Sequence, residues 1–152
     1  QHAPDGFLPV AYADKARRVA GLAKDLSEVI AAEDLSALRS AASDEKLAFH
    51  CPCTLQHAQQ LSGVVEDILQ RLGFELAQTR DKHLCCGSAG TYSILQPQLS
   101  QRLLKSKLEA LTVDSPARIA TANIGCQLHL ASAAKVPVSH WIELVDQAVS
   151  GE

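Results

Sequence analysis

Apolar residues along this chain follow two kinds of pattern, short continuous runs and longer segments with helical spacing. The short runs lie at residues 46–50, 74–79, 118–122 and 136–140, and their length and abrupt ends are typical of buried strands. Apolar residues three and four apart mark helical segments at residues 12–31, 54–72, 97–111, 127–133 and 141–149, with a shorter one at 35–39. The pattern therefore predicts strands and helices that alternate along most of the chain.

This alternation predicts the fold class. Short strands that alternate with helices form a parallel sheet, because each parallel connection needs a crossover. We expect an α/β fold with a short parallel sheet of about four strands and helices on both faces, a Rossmann-like three-layer arrangement preceded by an N-terminal helix. The 152 residues suit one domain, in which residues 1–45 form a helical lead-in and residues 46–152 carry the sheet.

Residues with strong positional preferences mark expected helix ends. Thr54 is expected to cap the start of the second long helix, and Gly73 is expected to end it. Pro97 is expected at the first position of the third, where the N–H group that proline lacks would be unpaired anyway.

Composition and charge narrow the function classes. The net charge is −3 and no cluster of lysine or arginine occurs, which argues against a nucleic-acid partner. No apolar run approaches the roughly 20 residues that span a bilayer, and the first residues lack the pattern of a signal peptide, so we expect no transmembrane segment. Because the chain contains no methionine, we expect a fragment of a longer protein or a processed product.

The five cysteines are concentrated at predicted strand ends. An odd number argues against a disulfide framework, and clustered thiols in a chain of this size indicate metal binding or redox chemistry. Cys53 follows the first predicted strand, and Cys126 follows the third. Cys85 and Cys86 lie in the loop after the second. Because ligands of open parallel sheets bind beyond the carboxyl ends of the strands, we expect these sulfurs at one edge of the sheet.

Thiols at helix starts and glycine-rich turns suit metal ligation. The unpaired N–H groups of a helix start favour the thiolate, which is the form that binds metals. Four thiolates fit zinc or an iron–sulfur cluster, and the long, uneven spacings without paired C-x-x-C motifs favour iron–sulfur. A structural zinc module that joins subunits and a thiol–disulfide catalyst that uses Cys85 and Cys86 are the alternatives.

Three motifs carry a family resemblance: "HCPCTLQHAQ" at 50–59, "HLCCGSAGTYS" at 83–93 and "TANIGCQLHLAS" at 121–132. They resemble the cysteine-rich, or CCG, domain of iron–sulfur oxidoreductase subunits, in particular the C-terminal part of the iron–sulfur subunits of glycolate oxidase (glycolate dehydrogenase). The resemblance implies that residues 46–152 form a CCG-type metal-binding domain. It also implies an iron–sulfur cluster, of the 4Fe–4S type, held by Cys53, Cys85, Cys86 and Cys126.

The sequence departs from the family pattern at Asn123. The family pattern ends in C-x-x-C, and Asn123 stands where the first of those two cysteines would be. Cys51, two residues before Cys53, is an additional thiol. A cubane with four thiolates, a zinc ion, and a cluster with Cys51 as fifth ligand therefore all stay open.

The resemblance also implies a role within a larger complex. A full subunit of this kind also has ferredoxin-like clusters and a first cysteine-rich repeat. It accepts electrons from flavin-bearing partner subunits that oxidise glycolate to glyoxylate, and it passes them towards quinone. We accordingly expect a cytoplasmic protein, or one peripheral to the inner face of the cytoplasmic membrane, and no glycolate turnover by this piece alone.

The histidines are expected to play supporting roles. His57 and His129 lie about one helical turn after Cys53 and Cys126, so they could face the same edge, and we expect them to be solvated or hydrogen-bonded there rather than to bind metal. The remaining candidates are less favoured still as ligands: His50, His83 and His140. Trp141 is expected to pack in the core, and the "GSAGT" turn is expected to shape the ligand loop rather than to hold phosphate.

Overall fold

The computed structural model of the chain describes residues 10–38 and 45–150, which fall into two compact units that divide after Glu33. The first unit contains helix α1 (Val10–Leu22) and helix α2 (Leu26–Ala31). Asp25 separates them, because its carboxylate accepts a hydrogen bond from the Ser27 N–H at 2.9 Å while Glu28 caps the Asp25 N–H at 2.8 Å. The single helix predicted over 12–31 is therefore two helices, with a capping box starting the second.

The second unit contains a parallel sheet of three strands: β1 (Leu47–His50), β2 (Arg118–Thr121) and β3 (Val138–His140). The strands lie side by side in the order β1-β2-β3, with Ala48 opposite Ile119 and Ile119 opposite Val138. The α/β fold class, with a short parallel sheet flanked by helices, is confirmed.

The prediction of a strand over 74–79 was wrong. In the described residues this segment makes one parallel bridge, between Leu76 and Leu47, and no further strand pairing. The Gln78 N–H donates instead to the Asp114 carboxylate at 3.1 Å, so the chain leaves the sheet just after the bridge. The sheet thus has three strands instead of about four, with a single bridged residue at its β1 edge.

Helices surround the sheet. The longer ones are α3 (Val64–Arg71), α5 (Pro97–Leu111), α6 (Ile124–Ala131) and α7 (Trp141–Ser150). The shorter turns are a 3-10 turn (Ser36–Leu38), a π-helical turn (Thr54–Ala58) and helix α4 (Tyr92–Leu95).

The expected helix ends have mixed outcomes. Pro97 does occupy the first position of α5, and Gly73, with φ of +95°, does follow the end of α3. The helix predicted over 54–72 is split into the π-helical turn and α3, and Gly63 precedes α3 with φ of +88°. Thr54 is not the cap, since it lies inside the π-helical turn rather than before it.

One face of the sheet carries the core that leads to the cysteines. Ala48 and Ile119 pack in a buried cluster with Leu104, Leu111, Leu130 and other apolar side chains, and Cys86 belongs to the same cluster. Side chains alternate between the faces of a strand, so His50 lies on the same face as Ala48. His50 and Cys86 therefore lie at the end of this core, at the carboxyl edge of the sheet.

The strand order places a crevice at this edge. The bridged segment around Leu76 comes second along the chain but lies outside β1, whereas β2 lies on the other side of β1. The direction of winding therefore reverses between β1 and β2. Ligands of open α/β sheets bind at the carboxyl ends of the strands beside such a reversal.

Candidate metal centre

The four predicted ligand cysteines lie on three separate connections at this edge. Cys53 directly precedes the π-helical turn after β1, and Cys126 lies in the first turn of α6 after β2. Cys85 and Cys86 lie in the loop that follows the Leu76 bridge. Cys86 is 1% exposed, Cys85 and Cys126 are half-buried, and Cys53 is exposed, so the set runs from the core to the surface.

The four thiols influence one another electrostatically, and two of them, Cys86 and Cys126, have sulfurs within 4.8 Å of each other. The pKa of Cys126 is raised, first by a hydrogen bond with Cys86 and by burial, and then by the negative charges of Cys86, Cys85 and Cys53. The pKa of Cys85 is raised by burial, with smaller contributions from Cys86 and Cys53. Thiols from 53, 85, 86 and 126 therefore share one electrostatic environment.

Cys86 is the thiol that this environment ionises. A hydrogen bond from the Cys126 thiol lowers the pKa of Cys86 to about 4, with further help from His50 and the Ser88 N–H, although burial opposes the shift. The same hydrogen bond raises the pKa of Cys126, so the pair favours the thiolate at Cys86, and the thiolate is the form that binds metals.

The turn after Cys86 is fixed by hydrogen bonds on both sides. The Gly87 N–H donates to the Cys85 sulfur at 3.3 Å. The buried hydroxyl of Ser100, in α5, donates to the Gly87 carbonyl at 2.8 Å and lies 3.2 Å from His129 Nε2. The hydrogen-bonded role predicted for His129 is confirmed: it supports the cysteine loop through Ser100.

The other candidate side chains lie outside the thiol cluster. His57 and His83 are exposed. His140 Nδ1 accepts a hydrogen bond from the Ile142 N–H at 3.4 Å, at the start of α7. Trp141 is 2% exposed, as expected of a core residue.

Sequence reasoning missed His50 as part of the site. Its side chain is 1% exposed, and its ligand atom lies within 4.8 Å of the sulfurs of Cys86 and Cys126, which also lie within that distance of each other. Among the described residues neither ring nitrogen has a nitrogen or oxygen partner. The signal was present in the pattern: His50 ends β1 and lies two residues after a core alanine, Ala48.

Asn123 and Cys51 have different interactions from the four predicted ligand thiols. The Asn123 side-chain oxygen accepts a hydrogen bond from the Cys126 N–H at 3.1 Å and caps α6. Cys51 is half-buried, and burial followed by the charge of Glu66 raises its pKa to about 11. Asn123 thus holds the backbone of Cys126 in position and is not a thiol ligand itself. Cys51 is a thiol that its surroundings keep protonated.

A buried lysine lies beside the thiols. Lys107 is 1% exposed on the core side of α5, and its ammonium donates to the carbonyls of Asp81 and Lys82 at 3.2 and 3.1 Å. Burial lowers the pKa of Lys107, and the negative charge of Cys86 is the largest contribution that opposes this shift. Lys107 therefore stabilises the loop before Cys85 through two hydrogen bonds and places a positive charge near the thiols.

These residues fit a thiophilic metal group. Thiolates are soft ligands that select zinc, copper(I) or iron–sulfur clusters, and a buried imidazole without a partner is a further ligand for such metals. The protein is therefore an α/β domain in which thiols from separate connections lie at the carboxyl edge of a parallel sheet.

Comparison with known proteins gives the family. Residues 47–131 match the cysteine-rich domain (CCG) family, and the chain belongs to it. The resemblance predicted from the three motifs is thereby confirmed.

Longer relatives contain a similar region. The chain is 57% identical, over 93% of its length, to the "Glycolate oxidase iron-sulfur subunit" of Escherichia coli strain K12, of which the match covers 34%. It is 29% identical over 70% of its length to the "Probable glycolate oxidase iron-sulfur subunit" of Bacillus subtilis strain 168, covering 24% of that protein. It is 27% identical over 78% of its length to "Lactate utilization protein A" of the same strain, covering 50%. The matched region thus spans no more than half the length of each of these relatives.

Within residues 10–38 and 45–150, no helix is both long and apolar enough to cross a bilayer.

Proposed function

We propose that this chain is an electron-transfer domain that holds an iron–sulfur cluster through Cys53, Cys85, Cys86 and Cys126. The observation that carries the proposal is that three separate connections bring these cysteines to the carboxyl edge of the sheet, where the sulfurs of Cys86 and Cys126 lie within 4.8 Å of each other. When bound, the cluster would supply one-electron oxidation and reduction. These four cysteines would hold it, and Cys86 would connect it to the apolar cluster that contains Ala48 and Leu104.

The gradient of exposure supports electron transfer rather than a purely structural role. Cys86 is buried, whereas Cys53 is exposed. A centre held by both would be insulated on one side and accessible to a redox partner on the other. A structural zinc site is normally closed by four protein ligands and gains nothing from such an opening.

We place this domain in a larger oxidase. The proposal rests on the 57% identity to a protein named a glycolate oxidase iron–sulfur subunit, and on further relatives named for lactate utilization. In that role the cluster, of the 4Fe–4S type, would take electrons from flavin-bearing partner subunits that oxidise glycolate to glyoxylate. The rest of the iron–sulfur subunit, with its ferredoxin-like clusters and first cysteine-rich repeat, would carry them towards quinone. We propose the cytoplasm, or the inner face of the cytoplasmic membrane, as its location.

Metal and sulfide analysis of anaerobically purified protein tests the cluster. We expect brown protein with iron and acid-labile sulfide in equal amounts, about four of each per chain. Colourless protein with zinc and no sulfide would replace this function with the structural zinc module. Metal-free protein whose Cys85 and Cys86 react at once with an alkylating agent would indicate the thiol–disulfide catalyst instead.

Lys107 is expected to raise the reduction potential of the cluster. Reduction adds a negative charge, which a buried ammonium nearby stabilises, so Lys107→Met should lower the midpoint potential by about 50 mV, or roughly 1 kcal/mol of charge interaction. Lys105→Met is the matched control on α5, since Lys105 is exposed and its ion pair with Glu109 is long at 4.0 Å. Potentiometric titration of both variants measures the difference. Equal shifts, or none in Lys107→Met, would contradict the expectation.

A further inference from the structure

We propose that the His50 imidazole is a nitrogen ligand of the metal centre, on the side of the centre that Cys86 and Cys126 also approach. This inference rests on the proposed function and specifies its ligand set. It makes the centre a mixed sulfur and nitrogen site instead of an all-cysteine one.

The distances favour neighbouring positions around one centre. The ligand atoms of His50, Cys86 and Cys126 all lie within 4.8 Å of one another. The three groups are therefore close enough for small side-chain movements to bring them to the same metal centre.

Burial without a partner supports the same conclusion. His50 is 1% exposed, and among the described residues its ring nitrogens have no nitrogen or oxygen partner and lie beside the Cys86 sulfur. A buried polar group without a partner is costly, so structures rarely keep one that has no use. The imidazole is held in place by β1, where all four residues are buried and the His50 carbonyl accepts a hydrogen bond from Thr121 at 2.9 Å.

The neighbouring alternatives are occupied. The Asn123 side chain caps α6 by accepting from the Cys126 N–H. Cys51 interacts with Glu66 and Ser62. Among the described residues, His50 is thus a buried side chain that can add a ligand beside Cys86 and Cys126.

Nitrogen coupling to the paramagnetic cluster tests this directly. The holoprotein is prepared anaerobically with natural and with 15N-labelled histidine, and pulsed EPR is recorded in whichever of the oxidised and dithionite-reduced states is paramagnetic. We expect a strong coupling that changes with the isotope label, disappears in His50→Gln and persists in His57→Gln. His57 is the matched control because it lies just beyond Cys53 but is exposed.

A second variant covers the case in which His50→Gln loses its iron. His50→Cys should keep the cluster, lack the nitrogen coupling and have a lower reduction potential, because imidazole ligands raise cluster potentials relative to thiolates. A wild-type cluster with no histidine coupling, with only the weak coupling of a hydrogen-bonded imidazole, or with a coupling that survives in either His50 variant would overturn the inference. Wild-type protein without iron and sulfide would instead overturn the proposed function.

Discussion

Replacing Cys86 with serine is expected to lower iron binding more than about 100-fold, since even groups that merely orient metal ligands change affinity by about 10- to 100-fold. Cys86 is the buried thiolate of the set, with its pKa lowered to about 4 by Cys126 and, more weakly, by His50. A serine hydroxyl at this position stays protonated and is a harder ligand than a thiolate. Iron and sulfide per chain after anaerobic gel filtration measure the loss.

Cys51→Ser is the matched control for this variant. Cys51 lies on the same connection as Cys53, but burial and Glu66 raise its pKa to about 11. The thiols whose charges act on Cys126 are Cys86, Cys85 and Cys53, so Cys51 stands apart from that set and we expect Cys51→Ser to keep its iron. Equal iron in Cys86→Ser and wild-type protein would count against the assigned ligands, whereas loss of iron in Cys51→Ser would make Cys51 a ligand as well.

Folding must be measured separately for Cys86→Ser, because Cys86 is also a core residue. It packs with Ala48, Leu104 and Leu130, so a buried hydroxyl there costs about 1–3 kcal/mol if it finds no partner. Urea unfolding of the metal-free proteins isolates this cost. A variant that is folded without metal yet takes up none identifies Cys86 as a ligand and not only as packing.

The arrangement of the thiols was accessible from sequence because it depends on chain order. A strand followed by a loop and a helix places the loop at the carboxyl edge of a parallel sheet, wherever the helix packs. Cys53 and Cys126 follow β1 and β2 in this way. Cys85 and Cys86 reach the same edge even though the preceding segment forms one bridge instead of a strand, since a single bridge already fixes the direction of the chain.

What sequence reasoning missed depends on which face each side chain occupies. Lys107 lies at a core position of α5, between Leu104 and Leu111, where the helical pattern calls for an apolar residue. The carbonyls of Asp81 and Lys82 and the charge of Cys86, all distant in sequence, explain why a lysine is stable there. The segment 74–79 has the composition of a strand, and its departure from the sheet depends on the distant carboxylate of Asp114. His50 is different, because its position two residues after Ala48 already indicates burial, and only its closeness to Cys86 and Cys126 depends on the tertiary fold.

Gly87→Ala is expected to disrupt the cysteine loop and to lower both stability and iron content. Gly87 has φ of +94°, which costs a residue with a side chain about 1–3 kcal/mol. A Cβ there would also lie 2.5 Å from the Ser100 backbone oxygen. That oxygen belongs to α5 and cannot rotate away, so the loop must shift, at a further cost of about 1–3 kcal/mol. The shift would move the Gly87 N–H that donates to the Cys85 sulfur.

Gly63→Ala separates backbone strain from this collision. Gly63 has φ of +88°, close to that of Gly87, but a Cβ there would meet nothing within 4 Å. In urea unfolding, we expect Gly63→Ala to be less stable only by the cost of placing a side chain on a left-handed backbone. We expect this variant to bind iron normally. Gly87→Ala should unfold at lower urea and hold less iron. If both variants lose equal stability and keep their iron, the close approach of Gly87 to α5 has no part in shaping the site, and the turn after Cys86 tolerates a side chain.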